Sequence, residues 1–166
     1  MQQTEASNLI KGAITNHQPQ NWADLGCGNG TFTMALQSLL PAGSHITAVD
    51  KQYQNLPFNF IKADFKNDKL NLSGLDGILM ANSFHYIRDK QKLIKKLETY
   101  FANQPYFLIV EYDTTRSSPW VPYPINYQKL EQLFVGFGYS AITKIGEMPS
   151  RFGGRMYSAI VVYDLF

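Results

Sequence analysis

The stretch WADLGCGNGTFTMAL, residues 22–36, packs three glycines into five positions between an apolar run and an amphipathic one. A strand that ends in such a turn and opens a helix aims backbone N–H groups and the positive end of the helix dipole at a single point. Side chains there would obstruct the approach, so the junction reads as a site for a nucleotide-like ligand. The spacing narrows the choice. The dinucleotide fingerprint G-x-G-x-x-G puts its third glycine where this chain has Thr31, whereas Gly26, Gly28 and Gly30 form G-x-G-x-G. A nicotinamide-dependent dehydrogenase is therefore disfavoured.

Periodicity on either side organises the chain. Ala6, Leu9, Ile10, Ala13 and Ile14 recur at helical spacing behind Thr4, a candidate N-cap, and predict a lead-in helix within residues 1–20. NWADLGC reads as a first strand. Phe32, Ala35, Leu36, Leu39 and Leu40 then mark a helix that Pro41 stops. SHITAVD, FNFIKADF, LDGILMAN and PYFLIVEYD follow as strands two to five, with a helix over 89–101 carrying Leu93, Ile94 and Leu97 inward. Its lysines, Lys90, Lys92, Lys95 and Lys96, read as a solvated face in preference to a DNA-binding stripe. A further helix built on Leu130, Leu133, Phe134 and Phe137, capped by Asn126, precedes two strand-like runs, SAITKIGEM and MYSAIVVYDLF, joined by PSRFGGR.

Strands alternating with helices imply a parallel sheet covered on both faces. The expected fold is α/β, a doubly wound Rossmann-like domain spanning residues 1–166. Its seven-stranded sheet is mostly parallel with an antiparallel last strand, because only the final two strands lack a helix between them. At 166 residues, 45% of them hydrophobic, the chain suits one core. A formal charge of +2 gives no support for a nucleic-acid partner. One cysteine, Cys27, excludes a disulfide framework and fits a cytoplasmic, reducing location. The polar first residues lack the character of a signal peptide, and no run approaches the about 18 apolar residues that span a bilayer.

Polar residues stand at the carboxyl ends of the parallel strands, the edge where open α/β sheets bind ligands. Asp50 ends the second strand, 20 residues after Gly30, placed to accept from both hydroxyls of a ribose. Asp64 ends the third, either to accept from an adenine amine or to cap the next segment. Asn82 ends the fourth; Glu111 and Asp113 end the fifth.

These residues resemble the class I S-adenosylmethionine-dependent methyltransferases, small-molecule branch, over residues 4–163. DLGCGNG matches that family's first signature, AVDK resembles its ribose-binding strand end, KADF its adenine edge, and DGILMANSFHYIRD its fourth strand and following loop. The resemblance implies S-adenosylmethionine as cofactor. It also implies a wall of Asp24, Gly26, Cys27, Gly28, Gly30, Asp50, Lys51, Asp64, Phe65 and Asn82, with Asp24 near the methionine amine, Asp50 on the ribose, and Asp64 and Phe65 framing the adenine. Two departures stand out. Only KQYQNLP separates Asp50 from Phe58, so the helix after the second strand looks shortened to a turn. FANQPY lacks the glycine-rich turn common before the fifth strand.

Methyl transfer from a sulfonium is an in-line displacement, so alignment is the protein's main task. If the nucleophile carries a proton, His85 is the first candidate acceptor, with Tyr86 and Glu111 behind it on the same positional argument. His85 equally suits a packing role beneath the cofactor. The loop TTRSSPWVPYPIN and the hairpin PSRFGGR bring Arg116, Trp120, Tyr123, Arg151 and Arg155 to the cofactor side, a set suited to a planar or anionic small-molecule acceptor. His17, His45 and His85 have no ligand spacing, so no metal site is expected. ANSF lacks the Asn/Asp-Pro-Pro-aromatic pattern of nucleic-acid amino methylases. The alternative from another class is a catalytically silent S-adenosylmethionine-binding module serving a partner.

Overall fold

Five runs become strands, and burial explains the unbroken apolar character of the first, fourth and fifth. In the computed structural model, which describes residues 1–163, these are Asn21–Leu25 (β1), His45–Asp50 (β2), Asn59–Lys62 (β3), Gly77–Ala81 (β4) and Tyr106–Tyr112 (β5). Two longer strands follow, Ala141–Pro149 (β6) and Arg155–Val162 (β7). All seven join in one sheet of order β3-β2-β1-β4-β5-β7-β6. β1 to β5 pair in parallel, and β7 runs antiparallel to both β5 and β6. The expected doubly wound α/β architecture, antiparallel last strand included, is the observed one. The expected final strand ran to Phe166; its last three residues lie outside the described residues.

Alternation along β5 shows how the two cores are divided. Phe107 and Ile109 face one side with Ile78 and Met80, against Leu93, Ile94 and Leu97 of Lys90–Glu98 (α3) and Leu130 and Phe134 of Tyr127–Gly136 (α4). Leu108 and Val110 face the other side with Trp22 and Leu79, against Ala6, Leu9 and Ile10 of Gln3–Ile10 (α1) and Phe32, Ala35 and Leu36 of Thr31–Leu39 (α2). A strand buried on both faces has no polar alternation to show, hence the uninterrupted runs. Burying a side chain such as Leu36 or Ile109 stabilises by about 2–3 kcal/mol.

Three local expectations are corrected. The lead-in helix occupies only 3–10, with Gln2 as N-cap in place of Thr4, and Glu5 accepts the Gln2 N–H at 2.8 Å. Ala13 and Ile14 keep contact with the core beyond a turn at Lys11 and Gly12, so their spacing records packing and not helix. β3 stops at Lys62, leaving Asp64 in the turn beyond it. A helix was expected between every pair of strands but the last, yet residues 65–76 form none, and 51–58 form only the anticipated turn. Long-range bonds replace the helix: Lys96 donates to the carbonyls of Phe65 and Asp68, and Tyr100 Oη accepts the Leu70 N–H at 3.0 Å. Of the four α3 lysines expected on a solvated face, Lys92 and Lys95 are exposed, whereas Lys90 and Lys96 are partly buried because each donates to two backbone carbonyls.

α1 is fastened to the far edge of the sheet. Ser158 of β7 donates to the Leu9 carbonyl at 2.5 Å, and Gly146 of β6 lies so close to that carbonyl that a Cβ would collide with it. The strand order reverses between β1 and β4, which opens a crevice at their carboxyl ends.

Candidate functional site

The glycine loop lies across that crevice. Gly26, Gly28 and Gly30 all have positive φ, at 77°, 51° and 81°, a region that costs other residues strain. Their environments differ. A Cβ on Gly26 would lie 2.6 Å from Cβ of Ser83, and one on Gly30 would lie 2.8 Å from the Leu56 side chain. Over Gly28 there is nothing within 4 Å. Packing against Ser83 therefore demands glycine at 26, the left-handed backbone favours it at 30, and Gly28 faces open space at the cavity.

Hydrogen bonds set the loop. Gly26 and Cys27 both donate to the Val49 carbonyl, at 2.8 and 3.0 Å, and Gly28 donates to Asp50 Oδ2 at 2.9 Å. Asp50 Oδ1 accepts from the Gln52 N–H at 3.0 Å. A carboxylate oxygen can accept two hydrogen bonds, so each Asp50 oxygen keeps one acceptor position.

The cavity measures about 720 Å³. It brings together most of the expected cofactor residues: Gly26, Cys27, Gly28, Asp50, Lys51, Asp64, Phe65 and Asn82. Asn82 stands at φ 53°, and its buried Oδ1 has no partner in the protein. Asp64 caps the turn beyond β3, accepting from the Lys66 N–H at 3.0 Å and Asn67 Nδ2 at 2.9 Å. Burial works to raise its carboxyl, but those hydrogen bonds and Lys51 at 3.7 Å outweigh it and hold the group below the usual range. Gly30 is the N-cap of α2, behind the wall.

Asp24 lies beneath the loop and does not border the cavity. Its Oδ2 accepts from Thr33 Oγ1 at 2.6 Å while Oδ1 is buried without a partner. Burial pushes its carboxyl up to about 7; the Thr33 bond works downward and the charge of Asp50 upward. Burial, with the charges of Asp24 and Asp50, pushes the Cys27 thiol up to about 12. That thiol is no nucleophile at neutral pH.

His85 and Glu111 form a buried pair beside the cavity. Glu111 accepts from the His85 backbone N–H at 3.0 Å and sits 2.8 Å from Nδ1. Nε2 is buried without a partner. Tyr86 connects this pair to the cavity, because it borders the space and its ring centroid lies 4.4 Å from that of His85.

The five residues expected on the acceptor side lie outside the cavity wall. Arg116, Trp120 and Tyr123 are exposed on the loop after β5, and the Tyr123 N–H donates to the His85 carbonyl at 2.9 Å. Arg151 pairs with Glu5 at 3.6 Å, and Arg155 with Glu147 at 2.7 Å. Residues not anticipated also border the space, notably Met1, Thr31, Phe32, Gln52 and Ser83. Ser83, whose Oγ donates to the Leu25 carbonyl at 2.7 Å, carried the one available signal, directly following Asn82 at a strand end. Among the described residues no three His, Cys, Asp or Glu side chains gather as a metal site, and no helix is long and apolar enough to cross a membrane.

A family model described as a methyltransferase domain matches residues 2–152. The chain belongs to this methyltransferase family. Solved methyltransferases share its fold. A SAM-dependent methyltransferase from Aquifex aeolicus is 15% identical, with 96% of this chain and 90% of that one covered, at a TM-score of 0.68. The 1,6-didemethyltoxoflavin-N1-methyltransferase of Burkholderia thailandensis, solved with 1,6-didemethyltoxoflavin and S-adenosylhomocysteine bound, is 15% identical over 96% of this chain and 76% of that one, at 0.69. A possible histamine N-methyltransferase from Thermotoga maritima is 11% identical over 98% and 89%, at 0.74. At such identities the likeness is one of fold. No curated protein matches this methyltransferase chain.

Proposed function

We propose that this chain is an S-adenosylmethionine-dependent methyltransferase acting on a small-molecule acceptor. The observation that carries the reading is Gly28, open to the cavity above, with Asp50 bonded behind it and acceptor positions to spare. A ligand with a pair of ribose hydroxyls meets that carboxylate, while an ammonium group answers the unpartnered Oδ1 of Asn82. Phe65 supplies an apolar wall for a base.

Bound there, S-adenosylmethionine supplies an electrophilic methyl group on a sulfonium sulfur that leaves as a neutral thioether. The chain's residues orient the acceptor and manage its proton. With Glu111 ionised, Nδ1 of His85 carries a proton and Nε2 is a free acceptor. His85 Nε2 would take up the acceptor's proton, and Glu111 would balance the resulting imidazolium. Tyr86, about half exposed, lies against the imidazole and borders the cavity.

A catalytically silent binding module is the second reading, favoured by one observation: His85 and Glu111 do not themselves border the cavity. Calorimetry with S-adenosylmethionine, S-adenosylhomocysteine and NAD, repeated on Asp50→Ala, tests the proposal. Binding of both adenosyl compounds, lost in the variant and absent for NAD, is the expected result. NAD binding without a response to the sulfonium would overturn it. Binding without turnover on a broad acceptor panel would transfer the assignment to the silent module.

A further inference from the structure

The carboxyl edge of the sheet divides into two halves of different chemistry. β1, β2 and the turn after β3 present the glycine loop, Asp50 and Asp64; the half over β4, β5 and the β6–β7 hairpin carries a run of rings beside Glu111. From the cavity outward the rings follow one another. Tyr86 borders the cavity, His85 lies 4.4 Å from it, Tyr112 lies 5.7 Å from His85, and Phe152 stands edge-on to Tyr112 at 6.2 Å and 76°. Each step falls in the range of aromatic contact.

Phe152 is 86% exposed, and its turn is built to hold it so. The Ser150 N–H donates to the Gly154 carbonyl at 2.9 Å, Gly153 N–H to the Ser150 carbonyl at 3.3 Å, and Phe152 N–H to Ser150 Oγ at 3.1 Å. Gly153 and Gly154 take the positive φ values, 88° and 67°, that the tight return requires, and a Cβ on either would meet nothing within 4 Å. A turn of fixed geometry thus holds a phenyl ring in water beside Tyr112, leaving its faces free for a flat apolar partner.

Both guanidinium groups of this hairpin are paired, while Arg116 on the loop after β5 is exposed. Arg151 and Arg155 of this hairpin pair with Glu5 and Glu147, and Lys90 donates to the carbonyls of Ile87 and Tyr123, at 2.7 and 2.8 Å. A carboxylate or phosphate bound by Arg151, Arg155 or Lys90 would compete with those contacts.

We propose that the acceptor is an uncharged planar aromatic or heteroaromatic molecule bearing a hydroxyl or N–H group, seated on Tyr86, Tyr112 and Phe152. The inference rests on the methyltransferase reading above. His85 stands within the row, between Tyr86 and Tyr112, so a ring hydroxyl or N–H stacked along it comes to lie beside the residue whose buried Nε2 lacks a partner.

The test titrates 2-naphthol, decahydro-2-naphthol and 2-naphthoate into protein saturated with S-adenosylhomocysteine. The expected result is binding of 2-naphthol about fivefold more tightly than its saturated analogue. Phe152→Leu keeps an apolar side chain and removes the ring, and it should abolish that preference without changing S-adenosylhomocysteine affinity. Equal affinity for the aromatic and saturated alcohols, a preference retained in Phe152→Leu, or tighter binding of 2-naphthoate would each overturn the proposal. Failure of S-adenosylhomocysteine to bind at all would instead overturn the methyltransferase reading on which it rests.

Discussion

Glu111 holds His85 at two points, accepting from its backbone N–H at 3.0 Å and lying 2.8 Å from ring Nδ1. This fixes the ring's orientation and leaves Nε2 as the nitrogen that faces no protein donor. Glu111→Gln keeps the shape and removes the charge, so it should lower kcat by roughly 10- to 100-fold with little change in KM for the cofactor. Nitrogen NMR of the wild-type imidazole should show Nδ1 protonated and Nε2 bare. A wild-type imidazole protonated at Nε2 alone would contradict the arrangement, as would an unchanged kcat in the variant.

Gly26 and Gly28 should separate stability from binding. Alanine at 26 meets Ser83 Cβ at 2.6 Å in a left-handed conformation, so Gly26→Ala should cost about 2–3 kcal/mol of folding stability. Alanine at 28 meets nothing and should cost only about 1 kcal/mol, but its methyl group fills the ligand's space. Urea denaturation alongside S-adenosylhomocysteine titration checks both, the expected pattern being a stable Gly28→Ala with at least about tenfold weaker binding.

The Asp24 carboxyl ionises near 3.8 in an unfolded chain, and burial raises it to about 7 in the folded one. The folded state thus holds this proton more tightly. The stability it lends is fully present below pH 4 and is lost as pH rises through 7. Asp24→Asn cannot titrate, so its stability relative to the wild type should improve by roughly 2–4 kcal/mol between pH 4 and pH 8. Parallel stability curves for the two proteins would refute the burial argument.

Cys27 borders the cavity but its thiol is held up to about 12, first by burial and then by Asp24 and Asp50. Alkylation by iodoacetamide at pH 8 should run at least about 100-fold slower than for free cysteine and recover in urea. Cys27→Ser should keep its affinity for S-adenosylhomocysteine.

The sheet was legible because β1, β4 and β5 are buried on both faces and their runs are unbroken, and Pro41 and Asn126 mark helix ends by local rules. The missing helix over 65–76 was not legible, because what replaces it comes from Lys96 and Tyr100, about thirty residues away. Ala13 and Ile14 deceived for a related reason: helical spacing and tertiary packing put the same residues inward. At the site, Asp50 and Asn82 could be placed from their strand ends. The Ser83 contact that demands Gly26, and the partners that occupy Arg151 and Arg155, are long-range facts with no local sequence signature.

The central claim concerns one cavity and one ligand, and a crystal structure of the protein with S-adenosylhomocysteine tests it most directly. The account predicts the ribose hydroxyls within hydrogen-bonding distance of the Asp50 carboxylate, the ligand passing over Gly28, and its amino group meeting Asn82 Oδ1. Ligand density elsewhere, or a cavity left vacant at saturating ligand, would contradict it.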